Sequence, residues 1–319
     1  MINPDTIVVD VEEQREWLLA HKASRGMSWS QLAAVTGIKS GTLSPFSLNR
    51  YFGNNAKVAQ EIFKYRQTLE TQAVREVGLV KGPGYFDTPT SMRLRGLLTV
   101  AHMGRITLAA TSPGTGKTVT VREYAASASN VWLITMRKST KTVNALTSLV
   151  LRAMGVPVKG GWNSQLADTV MDGMRRRNGL LIVDEANHLS LDQFEEIRGW
   201  HDETQCGVAF LGNEELMVRI KSGPRSDQFA RLHSRIAMSH VQTMPEAEDV
   251  DCFCDAWAVN DGAMRDLLKR VALTPASGGL REIAQIVEGA SMIAADEDRP
   301  LSFADLREAM ATRATRNIH

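Results

Sequence analysis

The segment Thr111-Ser-Pro-Gly-Thr-Gly-Lys-Thr118 constrains this 319-residue chain more than any other. It follows an apolar, β-rich run at residues 106–110 and precedes a helix-compatible stretch at 119–126. Glycines at 114 and 116 let backbone N–H groups converge on one point, and the helix start adds a favourable dipole, so the segment is built to cradle an anion. In such a phosphate loop Lys117 reaches the β- and γ-phosphates of ATP and the Thr118 hydroxyl ligates Mg²⁺. Ser112, Pro113, Gly114, Thr115, Gly116 and Val119 complete the nucleotide contact. Thr111 stands where the pattern G-x-x-x-x-G-K-[ST] has its first glycine.

Further short apolar runs at 131–135, 180–183, 208–211 and, more weakly, 237–241 alternate with helical stretches. That alternation predicts an α/β fold with a parallel five-stranded sheet covered by helices on both faces. Beyond about Pro245 the strands give way to helical patterns at 247–257, 261–273, 279–295 and 302–313, the last with Ser302 and Asp305 spaced for an N-terminal cap. Leu280, Ile283, Ile286 and Val287 form an apolar face read as core. Ahead of the sheet lies an all-helical region, with patterns at 9–21, 28–36, 40–51 and 55–69. The stretch 81–89, with two glycines and two prolines, separates the two. The expected organisation is a helical domain at 1–80, a linker at 81–89, an α/β core at 90–244 and a helical lid at 245–319.

Composition narrows the classes. An apolar content of 43% supports a packed core, and a net charge of +1 gives no global pull toward nucleic acid or membrane, so any basic surface must be local. No run of eighteen apolar residues occurs and the N-terminus is acidic, which predicts a soluble, cytoplasmic chain without a membrane partner. Cys206, Cys252 and Cys254 are too few and too clustered for a disulfide framework or a zinc site, and read as buried or incidental thiols.

The carboxylates that a phosphate loop needs follow at Leu180-Leu-Ile-Val-Asp-Glu185. At a strand tip Asp184 can hold the Mg²⁺ shell and Glu185 can polarise an attacking water. Val208-Ala-Phe-Leu-Gly-Asn213 ends a further strand in an amide, Asn213, placed to hold that water or the γ-phosphate. Arg231 and Arg235, four apart before the fifth strand, are candidates to reach a neighbouring subunit's nucleotide, Arg235 first. Arg281, opening a helix after Gly278-Gly-Leu, could bend onto the γ-phosphate in cis. In the N-terminal region, residues 31–43 carry the helix, glycine turn and second helix of a helix-turn-helix. Leu32, Ala33, Ile38 and Leu43 are its core and Ser40, Thr42 and Asn49 are free to face a DNA groove, while Pro45 is expected to shorten or kink the second helix.

The order of phosphate loop, Asp-Glu strand, strand-terminal Asn, Ser-Arg pair and Gly-x-x-Arg lid resembles the AAA+ P-loop ATPases. More narrowly it is similar to the transposition ATPases of the phage Mu B type (MuB), with TnsC and TniB as relatives, over most of the chain. The resemblance implies an ATPase that binds duplex DNA with little regard to sequence and forms helical filaments or rings as a homo-oligomer. It implies target delivery to a cognate transposase, whose strand transfer it stimulates. Its DNA contacts would fall mainly on phosphate, with Arg137, Lys138 and Lys141 as cations and Thr140 and Thr142 as neutral donors. Arg175-Arg-Arg177 is read instead as a solvated helix end. A helicase loader, a secretion-type regulatory ATPase and a nucleotide-sensing DNA-binding regulator are the alternatives.

Overall fold

The computed structural model describes residues 9–78, 82–157, 163–221 and 229–313. Residues 1–8 and 314–319 of the expected end domains, and Lys81 of the expected linker, lie outside that set. By its contacts the chain divides into two units, residues 1–80 and 81–319.

The first unit contains helices α1 (Val11–Ser24), α2 (Trp29–Thr36), α3 (Ser40–Ser47) and α4 (Asn55–Gly78). Their starts and stops follow side-chain chemistry. The Asp10 carboxylate accepts from the Glu12 and Glu13 amides, Ser28 and Gln31 form a reciprocal cap, and Gly37 ends α2 at φ 73°. Leu18, Leu32, Leu43, Phe46, Val58, Ala59 and Ile62 are its buried core, with Ala33 and Ile38 packed at the edge. The second helix of the expected helix-turn-helix is shorter than its sequence pattern. Pro45 has no N–H to give Gly41, and α3 stops at Ser47. Asn49 therefore lies beyond the helix, at φ 55°, rather than on its groove-facing side. Ser40 is exposed and Thr42 half-buried within it.

The second unit opens with α5 (Pro89–His102), which hydrophobic alternation does not announce, and then builds the sheet. Strands β1 (Ile106–Thr111), β2 (Val131–Thr135), β3 (Leu180–Asp184), β4 (Gly207–Gly212) and β5 (Ile236–Gln242) run parallel in the order β2-β3-β4-β1-β5. Between them come α6 (Lys117–Ser127), α7 (Val143–Ala153), α8 (Asn163–Arg177), α9 (Leu191–Thr204), α10 (Glu214–Lys221) and α11 (Ala230–His233). Every residue of β1, β3 and β4 is buried, and alternate residues serve opposite layers. Leu108, Leu181, Val183, Val208 and Phe210 join the core under α7, α8 and α9. Ala109, Leu180, Ile182, Ala209 and Leu211 meet Leu94, Leu97, Leu98 and Val121 of α5 and α6. Each large apolar side chain so buried contributes about 1.5–3 kcal/mol.

Helices α12 (Ala247–Ala256), α13 (Gly262–Ala272), α14 (Gly279–Asp296) and α15 (Phe303–Ala311) form the lid around Ile283, Ile286, Val287 and Leu306. A buried polar knot ties the lid to the sheet. Asp249 of α12 accepts from the Thr90 amide at 2.9 Å and the Thr90 hydroxyl at 2.5 Å, and Gln242 at the end of β5 donates to that hydroxyl at 2.7 Å. Cys206 and Cys254 are buried free thiols and Cys252 is half-buried; burial pushes the Cys206 thiol up to about 12. Among the described residues no helix is long and apolar enough to cross a membrane.

At the start of α15 the Asp305 carboxylate accepts from Arg299 Nη1 and Nη2 at 2.6 and 2.7 Å and from the Ser302 amide and hydroxyl at 2.8 and 2.7 Å. The hydrogen bonds from Arg299 hold this carboxyl well below the usual carboxylate range. A depressed folded-state value adds stability that is complete above the ordinary pKa of about 3.9 and is lost as pH falls through the folded value. Asp305→Asn is therefore expected to lower the melting temperature at pH 7, with the gap to wild type narrowing below about pH 4, as thermal unfolding across a pH series will report. A gap that stays constant down to pH 2 or so would show that the charge of Asp305 contributes nothing.

Candidate active site

Residues 112–116 leave the C-terminal end of β1 and turn into α6, with Gly114 and Gly116 at φ 81° and 87°. A side chain at Gly114 has no room: a Cβ there would stand 1.7 Å from the Gly278 carbonyl oxygen at the head of α14. Thr111, in the place of the usual first glycine, is the last residue of β1 and its φ is not positive, so glycine is not required. Its buried hydroxyl lies 3.0 Å from that of Thr115, which also donates to the Ser112 carbonyl at 3.0 Å. Thr111 thus braces the loop from below.

Lys117, only 8% exposed, donates from Nζ to the Gly212 carbonyl at 2.9 Å. Burial lowers its pKa, Asp184 and Glu185 offset part of that, and the nearby charge of Arg281 adds to the lowering. Asp184, 2% exposed at the tip of β3, accepts from the Thr118 hydroxyl at 3.2 Å and from the Glu185 amide at 2.9 Å, and burial raises its pKa. A buried ammonium bonded to a neutral carbonyl can take a polyanion. A hydroxyl beside a carboxylate is a hard oxygen pair of the kind Mg²⁺ takes, so both groups fit magnesium nucleotide. Glu185 follows at φ 54°, ψ 39°, a left-handed backbone uncommon for a residue with a side chain.

These elements frame a cleft of about 420 Å³ whose walls include the phosphate loop, Glu185, Asn213 and Arg281. Asn213, which lines the cleft, accepts through Oδ1 from the Glu215 amide at the head of α10, so its amide nitrogen is the side chain's donor. Val119 is 56% exposed at the rim. The remaining wall is one that sequence reasoning missed. Residues 83–86 of the expected linker and Phe253, Trp257, Leu280 and Ala284 of the lid supply apolar and aromatic lining to the same cleft. Phe253 stacks on Trp257 with centroids 5.1 Å apart and meets Phe86 edge-on at 6.2 Å. The Tyr85-Phe86 pair beside Pro83 was the only signal in the sequence.

Arg231 and Arg235 are not brought to this cleft. Ile236 of β5 pairs with Ile106, five residues before the phosphate loop's threshold at Thr111, so both arginines lie near the opposite end of the sheet, roughly 17 Å away by strand rise. Arg235 donates from Nε to Asp202 at 3.0 Å, and Arg231 is exposed. Beyond β2, Arg137, Lys138 and Lys141 are exposed. Thr140, expected to offer a hydroxyl to phosphate, is instead 9% exposed, because Gln193 donates to the carbonyls of Thr140 and Thr142 at 3.1 and 2.9 Å and draws the loop onto α9. The Thr142 hydroxyl caps α7 by accepting from the Ala145 amide. Arg175 and Arg177 are engaged at the end of α8, with Asp172, Glu203 and the Met154 carbonyl.

The pattern of the AAA domain matches residues 102–220, and that of the Mu B transposition protein C-terminal region matches residues 234–312. The ATP-dependent target DNA activator B of Escherichia phage Mu is 31% identical over 286 residues, covering 88% of this chain and 89% of the relative. The Mu-like prophage FluMu DNA transposition protein B of Haemophilus influenzae is 29% identical over 271 residues, 84% and 93% of the two chains. Among solved structures, the Aeropyrum pernix ORC1 protein in complex with DNA superposes with a TM-score of 0.52 at 20% identity, over 74% of this chain and 68% of that one. The ORC2 protein of the same organism in its ADP form gives 0.51 at 16%, over 70% and 66%. These two likenesses carry the fold: a parallel AAA+ sheet with a helical lid. The chain is an AAA+ ATPase belonging to the phage Mu B transposition protein family.

Proposed function

We propose that this protein binds MgATP in the cleft between phosphate loop and lid, assembles with further copies along duplex DNA, and presents that DNA to a transposase, with hydrolysis dissolving the assembly. One observation carries the reading. The basic loop 137–141 is tied to the backbone that carries the two carboxylates, since the Met136 amide donates to the Asp184 main-chain carbonyl at 2.9 Å and Gln193 of α9 holds the loop's other end. A change at the γ-phosphate therefore has a short, hydrogen-bonded route to a cationic surface. The phage relatives named ATP-dependent target DNA activators support the same coupling of ATP to DNA.

The roles follow from placement. Lys117 and the loop amides hold the β- and γ-phosphates, and the aromatic side with Tyr85, Phe86 and Trp257 seats the base. Magnesium, held by Thr118 and Asp184, would offset charge on the phosphate oxygens. Glu185 takes the proton of a water whose oxygen attacks the γ-phosphorus while the bond to the β–γ bridging oxygen breaks, and Asn213 Nδ2 and Arg281 steady the transferring group. Arg235, released from Asp202, or Arg231 beside it, supplies the positive charge in trans. Arg137, Lys138 and Lys141 bind phosphates of the duplex, and the exposed end of α3 with Ser40 and Thr42, and Asn49 beyond it, offers a second contact.

Lys117→Ala is expected to lose ATP binding and all ATP-dependent affinity for a labelled random duplex in an anisotropy titration; retention of either would remove Lys117 from the phosphate site. Glu185→Gln should keep ATP affinity but hydrolyse about 100-fold more slowly or worse, with DNA complexes that outlive wild type. Wild-type turnover would place the base elsewhere. Charge reversal of Lys138 and Lys141 together should weaken DNA binding, lower the slope of log K against log salt by about 2, and leave ATP affinity intact. An unchanged salt slope would take this loop out of the interface. Equal duplex binding in ATP, ADP and no nucleotide would favour a loader or regulator instead.

A further inference from the structure

We propose that Arg219 is the positioning residue that fixes the aim of Glu185 and ties it to the helix headed by Asn213. The proposal rests on the reading of Glu185 as general base. Glu185 sits in a left-handed backbone conformation at the start of a single 3₁₀ turn, Ala186–His188. The turn has only two backbone bonds of its own, His188 N to Glu185 O at 3.0 Å and Leu189 N to Ala186 O at 3.1 Å. A conformation of that kind persists only where its surroundings over-determine it.

Beside the bond from the Glu185 amide to the Asp184 carboxylate, Arg219 of α10 adds a restraint from outside the turn. Nη1 donates to the Asn187 carbonyl at 2.6 Å and Nη2 to the Leu189 carbonyl at 2.9 Å, so one rigid fork spans the turn directly after Glu185. Among the described residues Arg219 makes no ion pair. Its guanidinium lies 5.9 Å from the ring centres of both Phe194 and Phe229. A charge held by two carbonyls and two rings, with no carboxylate, is not a surface ion pair. It is a strut whose plane is set from both ends.

The other end of α10 reaches the phosphate site. Asn213 caps its first turn, and the Ser112 hydroxyl of the phosphate loop donates to Glu214 at 2.7 Å. One short helix thus touches the phosphate loop and Asn213 with its head and the Glu185 turn with Arg219. A displacement at the γ-phosphate side is delivered to Glu185 as a rigid shift. Lysine would replace this only in part, because its ammonium keeps the charge but does not hold two carbonyls in a fixed plane.

The test is steady-state hydrolysis by the full chain with fluorescent-ATP binding alongside. Arg219→Ala is expected to lower kcat about tenfold or more while KM for ATP and the nucleotide affinity move less than about twofold. Arg219→Lys should recover part of the loss. In a Glu185→Gln background, Arg219→Ala should cost no further turnover, since the group it aims is already gone. An equal fractional loss in both backgrounds, or a raised KM with kcat kept, overturns the proposal. Glu185→Gln slow but Arg219→Ala at wild-type rate removes this inference alone, whereas Glu185→Gln at wild-type rate removes the base reading and this inference with it. Where Arg219→Ala melts early, Arg219→Lys, which keeps stem and charge but not the fork, carries the same comparison.

Discussion

The active site depends on a backbone-to-backbone junction. The Leu280 amide at the head of the lid helix donates to the Gly114 carbonyl at 2.9 Å, and Gly278 and Gly279 pass so close to the phosphate loop that no side chain fits between them. All three glycines have positive φ, which lets two chain segments meet where Cβ atoms would collide. Because the contact is made by main chain on both sides, the lid's position is set by the shape of the phosphate loop. Arg281 follows that junction directly, so its reach into the cleft is fixed by the same hydrogen bond. The Asp249–Thr90–Gln242 knot does the equivalent at the other side of the lid, and Gln242 also accepts from the Ser112 amide through its carbonyl at 3.0 Å. The phosphate loop, the end of β5, the first turn of α5 and the lid therefore share one hydrogen-bonded frame.

Within that frame the electrostatics are unbalanced in a useful sense. Lys117 and Asp184 are both buried, and burial disfavours the charged form of each. Their direct partners are a carbonyl, a hydroxyl and an amide rather than one another. A polyanion would offset the buried charge of Lys117 and a divalent cation that of Asp184, so magnesium nucleotide suits both groups.

Much of this was legible in the sequence, for a physical reason. β1, β3 and β4 are buried on both faces and so appear as apolar runs, interrupted in β1 by Thr107, and the phosphate-loop glycines and the Asp-Glu tip follow them at fixed offsets. The Ser302–Asp305 cap and the core face of α14 are equally local and could be read directly. What was illegible is set by contacts distant in sequence. Thr140 looks like a free hydroxyl until Gln193, 53 residues on, draws its backbone inward. The segment before α5 looks like a linker because of its glycines and prolines, yet Tyr85 and Phe86 acquire a role from lid residues far downstream. Asn49 lies beyond α3, which runs through Pro45 and stops at Ser47, an end the sequence pattern did not mark.

The arginines near β5 lie away from their own chain's cleft. Arg235 is held by Asp202, which Arg198 also engages, in a partly exposed cluster at the far end of the sheet. Exposed pairs of this kind are worth about 1 kcal/mol or less, so little opposes exchanging Asp202 for a more highly charged anion. A triphosphate offers such an anion, but the chain's own cleft lies beyond the reach of the side chain. On the proposed reading, completing the charge around the γ-phosphate requires a second copy, and cleaving the β–γ bond removes the reason for that copy to stay. On that reading the same geometry that keeps Arg235 out of its own chain's cleft would make assembly sensitive to hydrolysis.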